Sequence, residues 1–241
     1  MNGIKKKKLK TFLEIVYENG HLRNLLLKNG LNEIRIDLNS EACKNNNKLN
    51  FDYVNKNLYE IFNVDAIKKD FSGKFDLIIS SMVIEHLTQQ ELFLFFNKMK
   101  QLLNENGEII ILVPSSMKHW DIEDEIAGHV KRYEFEEFHH FEKLFSLKVI
   151  HLAGLTYPIS NLLFLLSNRL IRKQEGSKLN LNQKEKTIYT GNREVKFKTK
   201  FPYYYKYLLN NIILYPFHLL QKIFKKNKNC LVIYCELKPF K

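Results

Sequence analysis

The sequence has few of the residues that cross-link a chain or break it into turns: three cysteines, nine glycines, five prolines and one tryptophan among 241 residues. Cys230 and Cys235 lie five positions apart in a predicted strand and so face opposite sides of it, and Cys43 stands alone. This spacing predicts neither a disulfide framework nor a metal site. A reducing, cytoplasmic compartment fits it best.

Long apolar runs are also absent. Residues 149–168 carry no formal charge, but Pro158 and several polar residues interrupt them, so we expect no transmembrane helix. Residues 5–8 are all lysine, and no apolar segment or cleavage site follows them. The N-terminal sequence therefore does not predict a signal peptide.

The basic residues are concentrated in the C-terminal third of the chain. The whole sequence has a formal net charge of +12, whereas residues 169–241 alone carry 17 basic and 4 acidic residues, a net charge of +13. Such a region suits the phosphates of a substrate, an anionic membrane surface or nucleic acid. A lysine-rich composition with no bearing on function is the alternative interpretation.

The first 155 residues alternate between apolar segments typical of strands and amphipathic segments typical of helices. Strands are predicted at 11–16, 33–37, 53–58, 75–80, 108–113 and 147–152, and helices at 21–29, 39–47, 88–103 and 134–145. The alternation predicts an α/β fold, a Rossmann-like, doubly wound and mostly parallel sheet. Ligands of such sheets bind at the carboxyl ends of the strands.

The alternation stops after residue 156. Two apolar stretches with basic flanks follow, at 159–172 and 203–224, and residues 230–237 are predicted to form a closing strand. We therefore expect a Rossmann-like domain made of residues 1–156 and 230–241. Residues 157–229 form a basic, partly helical insertion that serves as a lid, a substrate-binding region or an interface. Its apolar stretches suit helices packed over the sheet or helices lying on an anionic membrane.

Three segments resemble a known family. Residues 74–87 (KFDLIISSMVIEHL) resemble the fourth strand and following turn of the class I S-adenosylmethionine-dependent methyltransferases, and residues 103–114 (LNENGEIIILVP) resemble their fifth strand. Residues 128–133 (GHVKRY) are similar to a segment of the subgroup that acts on small molecules and glycans. The resemblance covers residues 11–155 and the closing strand, and it implies S-adenosylmethionine as cofactor.

The resemblance also implies which residues bind the cofactor. They are Glu14, Gly20, Asp37, Leu38, Asn57, Leu58, Ser81 and Met82. The position of Glu14 holds the methionine end of the cofactor in the family, and the position of Asp37 holds its ribose hydroxyls. Asn57 stands where the family has an Asp near the adenine amine, and Ser81 and Met82 line the methyl-donor cavity.

The first cofactor loop departs from the family pattern at two glycine positions, which Val16 and Glu18 occupy. Valine is poorly suited to a positive φ. Glu18 either repels the carboxylate of the cofactor or pairs with its ammonium. At a separation of about 4 Å and an effective dielectric of about 20, the repulsion would cost about 4 kcal/mol. Two hypotheses follow. The chain is an active methyltransferase, or it is a catalytically inactive, methyltransferase-like scaffold or partner subunit, associated with a membrane in one version.

An active enzyme needs groups on the acceptor side. His86 and His129 are the candidate bases, because an imidazole exchanges protons near neutral pH, although a structural role is the alternative for each. Trp120, Arg132 and Tyr133 are the candidate contacts for a small-molecule, glycan or lipid-linked acceptor.

Residues 203–206 (YYYK) are the only feature suited to stacking on bases, so nucleic acid is not an expected partner. The expected location is the cytoplasm, with the inner face of a membrane as a possible contact.

Overall fold

The computed structural model describes residues 9–16, 32–36, 40–175, 203, 207 and 210–240. The strands in this part of the chain are β1 (Thr11–Val16), β2 (Asn32–Ile36), β3 (Tyr59–Phe62), β4 (Phe75–Ser81), β5 (Leu103–Pro114), β6 (Leu147–Leu155) and β7 (Val232–Pro239). They form one seven-stranded sheet in the order β3-β2-β1-β4-β5-β7-β6.

The pairing of the strands places the ends of β1 to β5 on one edge of the sheet. These five strands are mutually parallel, whereas β7 runs antiparallel between β5 and β6. Because the carboxyl ends of parallel strands share an edge, the segments that follow them are brought together. The predicted fold, a doubly wound and mostly parallel sheet with a helical insertion before the last strand, is confirmed.

The helices described are α1 (Ser40–Leu49), α2 (Phe51–Asn55), α3 (Gln89–Leu102), α4 (Ile122–Ala127), α5 (Phe135–Phe145), α6 (Ile159–Glu175) and α7 (Asn211–Ile223). Short 3₁₀ turns follow β4 (Ile84–His86) and β5 (Met117–His119). None of the helices in the described residues combines the length and the apolar content that crossing a bilayer requires.

Helix α3 shows how local sequence and packing agree. The predicted capping box is present, since the Thr88 hydroxyl accepts from the Glu91 N–H at 3.4 Å and the Glu91 carboxylate accepts from the Thr88 N–H at 2.9 Å. The apolar face of the helix is buried in the main core, where Phe96 stacks on Phe145 of α5 with ring centroids 4.3 Å apart. Burying one such ring contributes about 1.5–3 kcal/mol. This packing fixes the turn between β4 and α3.

The predictions for local structure fail in one place that affects the site. The predicted strand at 53–58 is wrong, because residues 51–55 form the helix α2 and the third strand begins only at Tyr59. Helix α4 was not predicted, and the closing strand starts at Val232, two residues later than expected. The predicted helix at 21–29 lies outside the described residues.

Candidate active site

A cavity lies at the carboxyl ends of β1 to β4. The empty space that it encloses, including space open to solvent, is about 300 Å³. Its lining is apolar except for one carboxylate: Ile15, Val16, Ile36, Val64, Asp65, Ala66, Ile67, Val83, Leu87 and Phe95. An apolar hollow with a carboxylate among its lining residues suits a flat ring system that carries hydrogen-bond donors.

Val16 sits at the end of β1 and is almost fully buried. It continues the extended strand, opposite Ser81 of β4, and is not among the residues with a positive φ. The backbone strain expected from valine at a glycine position is therefore absent at Val16. Its side chain instead forms part of the cavity wall.

Three predicted cofactor residues lie around the cavity but do not line it. Glu14 is buried within β1, two residues before the strand ends. Ser81 ends β4, and Met82 follows with a φ of 53°, which turns the chain sharply, while its N–H donates to the Leu112 carbonyl at 2.9 Å. A left-handed residue other than glycine at the edge of a cavity is typical of binding sites, where the surrounding structure offsets the strain. The predicted residues Gly20, Asp37 and Leu38, together with Glu18, lie outside the described residues.

Asn57 and Leu58 are placed away from the cavity. They form the turn that precedes β3, with Asn57 in the left-handed region at a φ of 54°, so they lie at the amino end of that strand. The segment that follows β3 is the one that reaches the cavity, and it brings Asp65 and Ala66 there. The shift follows directly from the misplaced third strand. A strand at 59–62 would have identified Asp65 from the sequence, because it follows that strand by three residues.

Asp65 is held in a defined position. One carboxylate oxygen accepts a hydrogen bond from the Ile67 N–H at 2.9 Å, which closes a tight turn. The other oxygen lies 3.9 Å from the Lys68 ammonium, and the Asp65 side chain is 38% exposed. The carboxylate is thus fixed by the backbone while it remains accessible from solvent.

A second cluster of polar side chains follows β4 and β5, which are neighbours in the sheet. It consists of Glu85 and His86 after β4, and Asp124 and His129 after β5. The His129 Nδ1 lies 2.7 Å from Asp124 Oδ1, and its Nε2 lies 4.0 Å from Glu85 Oε1. The rings of His86 and His129 meet edge to face with centroids 4.8 Å apart. The structure thus brings together the two histidines that the sequence singled out.

Burial sets the electrostatics of this cluster. Burial, together with the nearby His129, lowers the pKa of His86 to about 3, although a hydrogen bond with the Gly128 carbonyl at 3.3 Å opposes the shift. Burial alone would raise the pKa of Asp124, but hydrogen bonds from His129 and Arg132 outweigh it, and the pKa is lowered. His86 is therefore a neutral imidazole, and Asp124 is a carboxylate, at neutral pH.

Arg132 and Tyr133, predicted to contact the acceptor, are inside the protein. Arg132 is 6% exposed, and its guanidinium donates to Asp124 Oδ1 at 2.8 Å and to the Ser115 carbonyl at 3.3 Å. The Tyr133 hydroxyl is fully buried and donates to the Ile84 carbonyl at 2.9 Å. Burial raises the pKa of Tyr133, and Glu85 adds to the shift. Tyr133 thus supports the turn after β4 and Arg132 the loop after β5, and their burial argues against direct contact with an acceptor.

Trp120 and the insertion border the same edge. Trp120 is partly buried directly after the 3₁₀ turn that follows β5. The preceding residue, His119, lies 3.1 Å from the Asn229 carbonyl and packs edge to face on Phe164 of α6. Asn168 and Arg172 of α6 donate to Asp121 at the start of α4. The helices of the insertion are therefore anchored beside the second cluster.

Comparisons with known proteins agree with this geometry. Residues 3–153, more than half of the chain, match the sequence model of a family described as "Methyltransferase domain". A search of curated protein sequences finds no match.

Several solved structures are similar to this chain in fold. An S-adenosylmethionine-dependent methyltransferase from Clostridium acetobutylicum is 12% identical with a TM-score of 0.57, over 100% of this chain and 89% of the other. The N-methyltransferase NodS from Bradyrhizobium japonicum, in complex with S-adenosyl-L-homocysteine, is 15% identical with a TM-score of 0.50. The match covers 63% of this chain and 72% of NodS. An O-methyltransferase from a trans-AT PKS multienzyme of Brevibacillus brevis is 14% identical with a TM-score of 0.50. The match covers 96% of this chain and 67% of the other. At these identities the likeness shows the fold alone.

Proposed function

The chain belongs to the methyltransferase domain family, and we propose that it transfers a methyl group from S-adenosylmethionine to a small-molecule, glycan or lipid-linked acceptor. The observation that carries this proposal is the cavity at the carboxyl ends of β1 to β4, the edge at which sheets of this kind bind their ligands. The acceptor is placed at the second cluster, where β4 and β5 end.

The residues of the cavity fit the cofactor. Ala66 and the apolar side chains around it accept an adenine ring, and Asp65 takes the position near the adenine amine that the sequence had assigned to Asn57. Glu14 at β1 and Ser81 with Met82 at β4 remain the proposed contacts for the methionine end and the methyl-donor side. When bound, the cofactor supplies a methyl group on a sulfonium, which is already a good electrophile.

The protein's own contribution is to position the two reactants. The acceptor oxygen or nitrogen has to approach the methyl carbon in line with the breaking carbon–sulfur bond, and it has to lose a proton. His86 and His129 lie where β4 and β5 end, so we propose that their cluster assists the loss of that proton. Trp120, in the loop after β5, is proposed as a wall of the acceptor pocket.

Calorimetric titration with S-adenosylhomocysteine tests the proposal. The native chain should bind one equivalent. Asp65→Ala should bind it roughly 10–100-fold more weakly, because a hydrogen bond to a charged group contributes about 1.5–3 kcal/mol. Asp52→Ala is the matched control, since Asp52 is exposed on α2 outside the cavity, and its affinity should equal that of the native chain. A folded native chain that gives no heat at millimolar ligand would refute the proposal.

A catalytically inactive scaffold is the competing hypothesis, and the departures at Val16 and Glu18 motivate it. Val16→Gly combined with Glu18→Gly separates the two hypotheses in the same titration. Because Val16 already lies in an unstrained strand, we expect the double variant to change the affinity by less than about tenfold. A native chain that does not bind, and a double variant that does, would identify the loop as the cause and support the scaffold hypothesis.

The insertion favours an anionic membrane as a partner. Helices α6 and α7 expose apolar residues along much of their length, including Leu162 at 75%, Leu165 at 70%, Ile212 at 85% and Ile223 at 75%. Arg172, Lys173, Lys222, Lys225, Lys226 and Lys228 are exposed on or next to these helices. Exposed apolar side chains with basic neighbours are typical of a helix that lies in the surface of an anionic bilayer.

The start of α6 contacts the segment that follows α7, near the acceptor side of the site. The Asn161 side chain donates to the Asn229 carbonyl at 2.6 Å, and Tyr157 packs on Phe224 with ring centroids 5.5 Å apart. His119 contacts the same Asn229 carbonyl. A membrane bound by this surface lies beside the loop after β5, which is why a lipid-linked acceptor is included in the proposal.

Sedimentation with lipid vesicles tests the membrane contact. The native chain should pellet with phosphatidylcholine vesicles that contain phosphatidylglycerol, much less so without it, and less so as salt rises. Ile212→Asp should reduce the pelleted fraction, whereas Leu144→Asp, an exposed leucine on α5, should not. Equal pelleting of the two variants, or none by the native chain at low salt, would contradict the membrane contact.

A further inference from the structure

Glu85, His86 and His129 converge in a way that the proposed methyl transfer does not by itself require. Each residue offers one ligand atom, and these atoms all lie within 4.8 Å of one another. From this convergence we infer that the three residues form a binding site for a divalent transition-metal ion. The sequence predicted no metal site, because that prediction rested on cysteine spacing. Here the ligands come from segments 43 residues apart that the adjacent strands β4 and β5 bring together.

The hydrogen bonds of the two imidazoles direct one nitrogen of each toward the site. A carbonyl only accepts, so His86 donates from Nδ1 to the Gly128 carbonyl and leaves Nε2 with its lone pair. His129 uses Nδ1 toward Asp124 at 2.7 Å, and its Nε2 faces Glu85. A carboxylate that orients a histidine through its far nitrogen is the usual support of a metal-binding imidazole.

The surroundings hold this arrangement in place. Asp124, which orients His129, is itself fixed by the Arg132 guanidinium and by the Asp121 N–H at 3.0 Å. The Glu85 carbonyl accepts from the Val130 N–H at 2.7 Å, which ties the turn after β4 to the loop that carries His129. Three ligands held on two connected segments form a site before any ion arrives, which lowers the cost of binding.

The charge of the cluster also suits a cation. The Glu85 and Asp124 side chains are fully buried, and the Arg132 guanidinium pairs with Asp124 at 2.8 Å. Moving a carboxylate out of water is costly unless positive charge and hydrogen bonds offset it. A divalent ion between Glu85 and the two imidazoles would supply that positive charge.

The donor set and the spacing favour zinc among divalent ions. Two histidines and one carboxylate bind Zn²⁺ at about 2.0–2.2 Å in sites that keep one position open. Ligand atoms on a tetrahedral ion at these distances lie about 3.3–3.6 Å apart, so the most widely separated pair would close by about 1.2–1.5 Å on binding. Magnesium, which prefers oxygen ligands, should bind far more weakly.

The open position gives the ion a role in the reaction, and only this role rests on the proposed function. With an ion held by Glu85, His86 and His129, an acceptor hydroxyl at that position would have a lowered pKa and would release its proton to water more readily. His86 and His129 then act on the acceptor through the ion and do not take the proton themselves.

Titration of the untagged, chelator-treated chain with Zn²⁺, Co²⁺ and Mg²⁺ tests the inference. We expect one equivalent of Zn²⁺ to bind, Mg²⁺ not to compete, and Co²⁺ to give a visible absorption band of the kind seen with nitrogen and oxygen ligands. Glu85→Gln and His129→Ala should each weaken Zn²⁺ binding at least about 100-fold, and Asp124→Asn, which changes only the support of His129, about 10–100-fold. His139→Ala is the control, because His139 is 62% exposed on α5, and it should bind like the native chain.

The outcomes separate this inference from the proposed function. No saturable Zn²⁺ binding by the folded native chain, or undiminished binding by His129→Ala, would overturn the metal site and leave cofactor binding untouched. The Co²⁺ spectrum of the native chain keeps the test valid if a variant does not fold. Failure to bind S-adenosylhomocysteine, with Zn²⁺ bound as expected, would overturn the transferase proposal and leave the metal site standing.

Discussion

Asp124→Ala removes the centre of a buried network, and its cost can be worked out from the contacts. The Asp124 Oδ1 accepts from His129 at 2.7 Å and from Arg132 at 2.8 Å, and its Oδ2 accepts from the Asp121 N–H at 3.0 Å. Removing one partner of a buried ion pair costs about 3–5 kcal/mol, because the other charge stays buried without it. The lost capping bond adds about 1 kcal/mol. We therefore expect the free energy of unfolding to fall by about 4–6 kcal/mol, a large part of the 5–15 kcal/mol typical of a domain.

Urea unfolding followed by circular dichroism, with EDTA present to exclude metal effects, measures this cost. Glu125→Ala is the matched control, since Glu125 is exposed on the same helix, and it should change stability by less than about 0.5 kcal/mol. Adding Arg132→Met to Asp124→Ala should recover about 1–3 kcal/mol, because the stranded guanidinium is removed with its partner. A cost for Asp124→Ala within about 1 kcal/mol of the control would refute the reasoning.

Two further predictions concern backbone positions and use the same unfolding assay. Gly154→Ala places a Cβ 2.7 Å from the Cys230 sulfur and 2.9 Å from the Asn227 carbonyl oxygen, so we expect a loss of about 1–3 kcal/mol. Gly73→Ala, where a Cβ meets nothing within 4 Å, is its control and should cost nothing; equal losses would contradict the packing argument. Ser146 ends α5 in the left-handed region at a φ of 52°, a conformation that strains residues with a Cβ. Ser146→Gly should therefore be more stable than Ser146→Ala by about 0.5–1 kcal/mol. The reverse order would show that this backbone strain is absent.

The sequence predicted the sheet well where strands are buried on both faces. Residues 75–80 and 108–113 contain the continuous apolar runs 77–79 and 109–113, which is what parallel strands covered by helices require. The third strand, Tyr59–Phe62, has only four residues, and the apolar residues of α2 just before it mimic a strand equally well. Short apolar segments carry no period long enough to distinguish the two. That misplacement moved the expected adenine contact from Asp65 to Asn57.

The second cluster could not be predicted from local sequence patterns. His86 and His129 were singled out one by one, but their meeting with Glu85 depends on the pairing of β4 with β5 and on the hydrogen bond between Val130 and Glu85. Arg132 and Tyr133, in the segment 128–133 that resembles the family, were expected to contact an acceptor. The structure buries both, since Asp124 and the Ile84 carbonyl supply partners inside the protein.

The proposed methyl transfer requires that the adenosyl ligand bind in the cavity at the carboxyl ends of β1 to β4. Methyl NMR of the native chain, titrated with S-adenosylhomocysteine, tests this most directly. We predict that the methyl resonances of Ala66, Ile15 and Val83, which line the cavity, shift with saturation, while that of Ile233, buried in β7, does not. Saturating shifts confined to residues outside the cavity, or no shifts at all, would contradict the account.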